Sequence, residues 1–210
     1  MSFGNPKGTW DERFAKPGYL FGTAPNAFLA REAWRIPRHG RVLCVADGEG
    51  RNSVFLATQH LDVTAFDLSP VAVDKARALA RERGVEVRYG VGDLLDAPWT
   101  GRFDAVVAIF IQFLGPAERE RAFAAMKEAV APGGLFLLEG YRPEQVAYAT
   151  GGPGRKENMY TRAWVEATFA GWSIELFASY DASLDEGSAH AGLSAVLDVV
   201  ARAPAAGRPE

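Results

Sequence analysis

Several features that mark particular classes of protein are missing from this 210-residue chain. Its single cysteine, Cys44, can form neither an internal disulfide nor a cysteine-rich metal site, and its position in an apolar run predicts a small core residue. The 23 basic residues are scattered among 26 acidic ones, so no basic stripe offers a surface for a phosphate backbone. The longest apolar stretch, residues 105–113, is far shorter than the roughly 20 residues that span a bilayer. We therefore expect neither nucleic acid nor a membrane as a partner.

The composition is that of an ordinary globular protein. Hydrophobic residues make up 48% of the chain and charged residues 23%, and the length suits one domain. Residues 1–7 lack the apolar core of a secretory signal, which favours the cytoplasm. We expect an N-terminal arm and helix in residues 1–35, one main domain in residues 36–203, and a flexible tail in residues 204–210.

Strand-like apolar runs alternate with helical patterns through the first two thirds of the chain. Asn52–Ala57 has helical spacing, Ser69 and Pro70 supply the N-cap and first residue of a second helix, and residues 116–131 form a third. The five predicted strands are residues 41–46, 63–67, 85–91, 103–109 and 135–139. Such repeats predict a doubly wound, parallel α/β sheet.

The last third of the chain departs from this alternation. After a glycine-rich loop at residues 150–154 and a helix at residues 161–169, the runs 173–180 and 193–202 follow each other with no helix between them. Consecutive strands of this kind predict an antiparallel hairpin. The expected fold is therefore α/β, with a mostly parallel seven-stranded sheet that ends in an antiparallel C-terminal hairpin.

Three consecutive strand ends carry residue types that suit a nucleoside ligand, and in an open α/β sheet ligands bind at the carboxyl ends of the strands. Gly48 and Gly50 let the backbone approach a ligand and lead into a helix whose free N–H groups can bind a carboxylate. Asp67, after the second strand, suits both hydroxyls of a ribose. Asp93 and Leu94, after the third strand, suit an adenine amine and a ring nitrogen.

The run of residues 42–57, VLCVADGEGRNSVFLA, is similar to the S-adenosylmethionine (SAM) binding motif of class I methyltransferases. It most resembles the tellurite-resistance methyltransferase group, through residues 50–53 and 62–67, and the likeness covers roughly residues 40–140. The resemblance implies a Rossmann-like methyltransferase that uses SAM as its cofactor. Two positions depart from the family pattern: Cys44 occupies the position of the usual acid, and Ala46 occupies the position of the first glycine.

The resemblance also implies a set of cofactor-binding residues. Asp47 is expected to compensate for the departures by accepting a hydrogen bond from the cofactor's ammonium group. The N-terminal residues 4–22 look irregular and aromatic-rich, precede a helix at about residues 25–34, and resemble a lid, although simple packing across the sheet is the alternative. The expected cofactor-binding residues are Trp10, Arg13, Tyr19, Gly22, Asp47, Gly48, Gly50, Arg51, Asn52, Asp67, Leu68, Ser69, Asp93, Leu94, Ile109 and Gln112.

Methyl transfer from a sulfonium needs alignment and exclusion of water more than acid–base groups, so few catalytic residues are expected. Tyr141, Arg142 and His190 are the polar groups that we expect around the acceptor. Residues 108–112 contain neither the run that holds a planar amine, Asn/Asp-Pro-Pro-aromatic, nor an acid that starts a metal site. The sequence thus favours a metal-free enzyme acting on a small molecule, with a sulfur, selenium or tellurium acceptor preferred and oxygen or nitrogen also allowed.

Two alternatives stay open from the sequence. One is an NAD(P)-dependent oxidoreductase, which also uses an acid on the second strand to bind ribose, but the loop lacks the G-x-G-x-x-G pattern of that class. The other is a SAM-binding module without catalytic activity, which the departures at Cys44 and Ala46 make conceivable.

Overall fold

The computed structural model describes residues 5–187 and 190–206. Residues 1–4, which belong to the segment without a predicted secretory signal, lie outside these ranges. So do residues 207–210 of the expected tail. One seven-stranded sheet organises the chain, with strands in the order β3-β2-β1-β4-β5-β7-β6. The strands are β1 (Arg41–Val45), β2 (Asp62–Asp67), β3 (Arg88–Val91), β4 (Phe103–Ile109), β5 (Val130–Tyr141), β6 (Ser173–Asp185) and β7 (Ala191–Arg202).

Helices cover both faces of this sheet. The α-helices are α1 (Pro6–Phe14), α2 (Ala27–Glu32), α3 (Arg51–Thr58), α4 (Pro70–Glu82), α5 (Pro116–Ala129), α6 (Gln145–Tyr148) and α7 (Arg162–Thr168). Short 3₁₀ turns occupy Ala33–Arg35, Leu94–Asp96 and Lys156–Asn158. Among the residues described, no helix is both long and apolar enough to cross a membrane.

Strands β1 to β5 pair in parallel, and β7 then runs antiparallel to both β5 and β6. The central strands are apolar without alternation because helices bury both of their faces, as in other parallel sheets. Two large hydrophobic clusters form the core, one on each face. The α/β fold with a C-terminal antiparallel hairpin, predicted from the sequence, is confirmed.

The N-terminal segment differs from its prediction as irregular, because residues 6–14 form α1. The side chain of Asn5 caps this helix by accepting a hydrogen bond from the N–H of Gly8, and Pro6 occupies the first helical position. The same two signals predict the helix that starts at Ser69 and Pro70, whereas here Gly8 and aromatic residues obscure the helical pattern.

Several strand boundaries also differ from their predictions, and both hairpin strands are longer at the tip, where β6 ends at Asp185 and β7 begins at Ala191. Strand β3 begins at Arg88, because the N–H of Val85 instead bonds the carbonyl of Ala80 and closes the end of α4. Strand β5 begins at Val130, before the proline and glycines expected to separate it from α5, because Val130 pairs with Phe103 ahead of a register shift.

Candidate functional site

The loop between β1 and α3 holds three residues, at alternate positions, whose backbone has a positive φ. Gly48 and Gly50 have φ of +62° and +92°, and Ala46 reaches +47° at the position where the resembling family has glycine. Only glycine adopts such angles without steric cost. A Cβ on Gly50 would also lie 2.7 Å from the Cβ of Ala76, so this glycine allows α3 and α4 to pack closely.

Asp47 serves the start of α3. One of its carboxylate oxygens accepts from the backbone N–H of Ser53 at 3.3 Å, and the other accepts from the Ser53 hydroxyl. The hydroxyl of Tyr89 lies 3.0 Å from the same Ser53 oxygen. Since Gly50 at the N-cap has no side chain, Asp47 replaces the missing cap. Burial raises the pKa of Asp47 to about 7, against the hydrogen bonds from Ser53.

Asp67 joins the first two strand ends. Its two carboxylate oxygens accept from the backbone N–H of Gly48 and of Ser69, each at 2.9 Å. Burial raises its pKa, and these two backbone hydrogen bonds oppose that shift. The glycine loop and the start of α4 are thereby fixed to one buried acid.

Asp93 and Leu94 follow β3, beside the end of β2. Asp93 accepts from the N–H of Leu95 at 2.9 Å and so caps the short turn that follows, while Leu94 is buried. Strands β3, β2 and β1 are parallel neighbours in the sheet. The glycines after β1 and the acids after β2 and β3 therefore lie at the same end of the sheet, as predicted from the sequence.

The N-terminal arm, residues 5–26, lies over the glycine loop. The ring of Phe14 is 3.6 Å from the point where a Gly48 Cβ would stand, and Trp10 stacks on Phe14 with ring centroids 5.4 Å apart. The guanidinium of Arg13 covers Trp10 at 4.5 Å, and burial lowers its pKa. The hydroxyl of Ser69 donates to Asp11 of the arm at 2.5 Å.

Lys75 of α4 and Glu49 of the loop anchor the second half of the arm. The Lys75 ammonium donates to the carbonyls of Lys16 and Gly18 at 2.8 and 2.6 Å and pairs with Glu49 at 2.9 Å. Glu49 in turn accepts from the N–H of Leu20 at 2.6 Å. The hydroxyl of Tyr19 donates to the carbonyl of Lys75 at 3.4 Å.

A cavity of about 10 Å³ remains at the carboxyl ends of β1 and β4. It is lined by Cys44, Val45, Ala46, Asp47, Asn52, Val107 and Ile109. Asn52 also accepts from the backbone N–H of Asn26, which ties α3 to the arm. A space of this size holds about one water molecule, so a larger ligand requires it to widen.

Gln112 occupies a buried position after β4. Its amide nitrogen donates to the carbonyl of Tyr141 at 2.8 Å, and its amide oxygen accepts from the N–H of Tyr141 at 2.5 Å. The side chain thus joins the end of β4 to the end of β5 through the backbone of Tyr141.

The Tyr141 side chain belongs to an aromatic group at the ends of β4 and β5. Phe110, whose φ of +55° is strained for a bulky residue, packs against Tyr141 and His190 at centroid distances of 4.7 and 4.4 Å. Phe21 of the arm contacts His190 at 4.5 Å. The structure therefore brings together two of the three residues expected at the acceptor, Tyr141 and His190.

Arg142, the third expected acceptor residue, lies elsewhere. Its guanidinium pairs with Asp181 on β6 and lies 3.8 Å from Glu144. The hydroxyl of Tyr148 donates to the same Asp181 at 2.8 Å. Successive residues of an extended chain point to opposite sides, so Arg142 cannot share the environment of Tyr141.

Glu186 was not singled out from the sequence and lies at the centre of a buried charge group. It pairs with Arg51 at 2.7 Å, accepts from the Asn26 amide at 2.9 Å, and lies 3.8 Å from Nδ1 of His190. Burial alone raises its pKa, but His190 and Arg51 reverse the shift and lower it to about 2. Burial lowers the pKa of His190, against the effect of Glu186.

The arm and the hairpin tip contact each other through their backbones. A Cβ on Gly187 would lie 2.5 Å from the Phe21 carbonyl carbon and 2.6 Å from the Gly22 nitrogen, so only glycine fits there. Together with the bonds from Asn26 to Glu186, this contact closes the site on the acceptor side. The spacing of Glu186 and His190, four residues apart on one tip, was the available sequence signal.

Two buried acids face each other on neighbouring strands within the sheet. Glu139 on β5 is paired in register with Asp198 on β7, and both are buried. Burial, together with the charges of Asp198 and Glu186, raises the pKa of Glu139 well above its usual range. The amide of Asn26 also donates to Glu139, so this pair is connected to the arm. Among the described residues, no group of three or more His, Cys, Asp or Glu side chains is arranged to hold a metal.

Comparison with known proteins agrees with this geometry. Residues 42–134 match a family model for a methyltransferase domain. A 2-heptyl-1-hydroxyquinolin-4(1H)-one methyltransferase from Mycobacteroides abscessus is 28% identical over 134 residues, which are 56% of this chain and 59% of the relative. The chain spans about half the length of the curated relatives that it matches.

Solved structures share the whole fold. A structure from work on the conversion of a disulfide bond into a thioacetal group in echinomycin biosynthesis has a TM-score of 0.77, 21% identity, and coverage of 96% of this chain and 94% of its own. TehB from Haemophilus influenzae has a TM-score of 0.72, 18% identity, and coverage of 86% and 63%. The N-methyltransferase NodS from Bradyrhizobium japonicum with S-adenosyl-L-homocysteine has a TM-score of 0.70, 15% identity, and coverage of 94% and 98%. At such identities these likenesses show the fold.

Proposed function

We propose that this chain is an enzyme that transfers the methyl group of SAM to a small-molecule acceptor. The observation that carries the proposal is the position of Asp67, a buried acid held by the N–H groups of Gly48 and Ser69 where the glycine loop meets the end of β2. A carboxylate has about four acceptor positions. The two that remain suit the two hydroxyls of a ribose.

The neighbouring residues fit the rest of SAM. Leu68 and Leu94 flank the position proposed for the adenine, and Asp93 keeps one carboxylate oxygen for its amine. The residues around the small cavity, Ala46, Asn52 and Ile109, are proposed to contact the methionine end once that space widens. When bound, SAM supplies an activated methyl group on a sulfonium; the chain's own residues bind it, orient it and exclude water.

The first turn of the loop works differently from the family pattern. The carboxylate of Asp47 is occupied by Ser53, so its proposed contact with the cofactor's ammonium must use remaining acceptor positions. Arg13, which faces no carboxylate among the residues described, is proposed to bind the cofactor's carboxylate once the arm closes. Trp10, Tyr19 and Gly22 belong to the same lid.

Gln112 and Ser69 act through the fold. Both polar atoms of the Gln112 amide form hydrogen bonds with the backbone of Tyr141, so its proposed role is to position Tyr141 beside the cofactor. Ser69 caps α4 and holds Asp11 of the arm, which supports closure over the cofactor.

The acceptor is proposed to be a small molecule with a sulfur, selenium or tellurium nucleophile, with oxygen or nitrogen as the alternative. Support comes from the half-buried aromatic group of Phe110, Tyr141 and His190, in which Tyr141 and His190 are the candidate catalytic residues. The names of two similar proteins refer to chemistry at a hydroxyquinolinone and at a disulfide. We place the reaction in the cytoplasm, with an arm in residues 1–35 closing over a main domain in residues 36–203.

Two measurements test this proposal. Calorimetry with S-adenosylhomocysteine and with NADH separates it from an oxidoreductase, since binding of NADH alone would refute it. Labelled SAM with a panel of thiols, chalcogen anions and phenols then tests turnover. Tight binding of S-adenosylhomocysteine without transfer to any acceptor would favour a non-catalytic SAM-binding module.

A further inference from the structure

Three buried polar atoms without a hydrogen-bond partner among the described residues belong to residues on the proposed acceptor side of the site. They are Nη1 of Arg51, the hydroxyl oxygen of Tyr141, and Nδ1 of His190. Tyr141 is 2% exposed and Arg51 7% exposed. A buried polar atom without a partner is costly, so a polar ligand group between these atoms explains why they are kept.

Glu186 connects two of these residues, and the ring of the third packs against one of them. Nη2 of Arg51 lies 2.7 Å from Oε2 of Glu186, and Nδ1 of His190 lies 3.8 Å from the same oxygen, so these two nitrogens are at most 6.5 Å apart. The Tyr141 ring meets the His190 ring edge-on at 5.9 Å. Glu186 thus lies between the guanidinium and the imidazole, and the Tyr141 ring packs against the imidazole.

The three atoms differ in what they offer. The guanidinium nitrogen donates and carries positive charge, the phenol donates or accepts, and the neutral imidazole accepts a proton. Phe110 and Phe21, which pack on His190, surround the polar atoms with aromatic rings. Such walls favour a planar aromatic ligand, stacked or edge-on.

We propose that the acceptor is a small aromatic molecule whose reacting group is an ionisable X–H, a thiol or a phenol, held by Arg51, Tyr141 and His190. This inference rests on the proposed function. The X–H proton passes to the imidazole of His190, and Glu186, 3.8 Å from Nδ1, balances the imidazolium that forms. The lone pair of X⁻ then forms the X–CH₃ bond while the S–CH₃ bond of SAM breaks with its electron pair returning to sulfur. The imidazolium later releases its proton to solvent.

The proposal assigns separate tasks to the residues. Arg51, expected from the sequence to bind the cofactor, is assigned to stabilise the acceptor anion. Tyr141 donates a hydrogen bond to X. Glu186 is a positioning residue that acts on X only through His190 and Arg51, and its link to Asn26 makes that arrangement depend on closure of the arm.

Substitution of Tyr141 by phenylalanine gives the sharpest test, because its hydroxyl makes no hydrogen bond to any described residue and its removal therefore breaks none. Tyr160→Phe is the matched control: Tyr160 is 0% exposed, its hydroxyl also has no partner among those residues, and its ring packs on Phe123 and Trp164 instead. With a series of para-substituted thiophenols and phenols as acceptors, Tyr141→Phe should lower kcat/KM by about tenfold or more. It should leave unfolding and the affinity for S-adenosylhomocysteine unchanged, and Tyr160→Phe should leave all three unchanged.

Two further variants test the base and the anion site. His190→Gln should lower kcat/KM by about 10²–10⁴-fold for weakly acidic acceptors and by much less for acidic thiophenols, which ionise unaided. Arg51→Lys keeps the ion pair with Glu186 and removes Nη1, so it should raise the KM for the acceptor and leave the affinity for S-adenosylhomocysteine in place.

The outcomes separate this inference from the proposed function. If S-adenosylhomocysteine does not bind the wild-type protein, the proposed function fails. If it binds and no thiophenol or phenol is methylated, only the acceptor class is overturned. Equal activity of the Tyr141→Phe and Tyr160→Phe variants, a loss in His190→Gln that ignores acceptor acidity, or an Arg51→Lys effect on cofactor affinity alone would each overturn the assignment as well.

Discussion

Substitution of Asp67 by alanine tests how the cofactor is proposed to bind. The Asp67 carboxylate accepts from Gly48 and Ser69 at 2.9 Å and keeps about two further acceptor positions for the ribose hydroxyls. A hydrogen bond to a charged group contributes about 1.5–3 kcal/mol, and two on one carboxylate overlap, so Asp67→Ala should weaken binding by roughly 2–4 kcal/mol. This corresponds to an increase in Kd of about 30- to 700-fold.

The same change has a second effect, because it also leaves two buried backbone N–H groups without their partner. The free energy of unfolding should therefore fall by roughly 2–4 kcal/mol on the same scale, and the variant should unfold at a lower denaturant concentration. Calorimetry with S-adenosylhomocysteine, carried out where unfolding curves show that the variant is folded, separates binding from stability.

Asp62→Ala is the matched control for this experiment. Asp62 lies at the opposite end of the same strand, 44% exposed, and pairs with Arg88 on the surface at 2.6 Å. A surface ion pair contributes about 0–1 kcal/mol, so this variant should bind S-adenosylhomocysteine as the wild type does. Loss of stability in Asp67→Ala with unchanged affinity would refute the ribose contact and leave Asp67 a purely structural acid.

Three other substitutions test different parts of the site. Gly50→Ala should destabilise the protein by roughly 2–5 kcal/mol in urea unfolding, because φ is +92° and the new Cβ would lie 2.7 Å from that of Ala76; a loss below about 1 kcal/mol would contradict this packing. The raised pKa of Glu139 means that its contribution to stability is full below its unfolded-state pKa and is lost as pH rises toward the folded-state pKa, so Glu139→Gln, which keeps a donor for Asp198, should flatten the decline in stability over that interval. A parallel decline in both proteins would show that Glu139 is ionised. Lys75→Met should speed dissociation of S-adenosylhomocysteine several-fold in stopped-flow measurements, because Lys75 holds the arm by two carbonyls; an unchanged rate would mean that the arm does not limit release.

Sequence patterns predicted the sheet because its strands and helices carry their signals locally. An apolar run such as Phe103–Ile109 is buried on both faces, and the N-cap at Ser69 starts α4 where the pattern predicts it. The arm helix was missed because its cap at Asn5 precedes a segment with glycine and little apolar periodicity. Its position over Gly48 depends on contacts with Lys75 and other distant residues that no local pattern encodes.

The individual roles of site residues were harder to predict than their positions. Gln112 and Asp47 lie where a cofactor contact was expected, yet the amide of Gln112 binds the backbone of Tyr141 and the carboxylate of Asp47 caps α3. Both residue types serve equally well as ligands and as caps. Which task a given side chain performs depends on the atoms that reach it in the folded protein, as does the separation of Arg142 from its neighbour Tyr141.

The two halves of the site are built in different ways, and this explains where sequence similarity ends. The proposed cofactor half uses consecutive strand ends, so Gly48, Asp67 and Asp93 fall within the residues 42–134 that match the family model. The proposed acceptor half combines the arm, the end of β5 and the hairpin tip, and its Glu186 contacts Arg51 across 135 positions of the chain. Because Phe21, Tyr141 and Glu186 lie outside the two large core clusters, their side chains can change without altering the central strands. Differences in acceptor between this chain and its relatives should therefore be sought at Phe21, Tyr141 and residues 186–190.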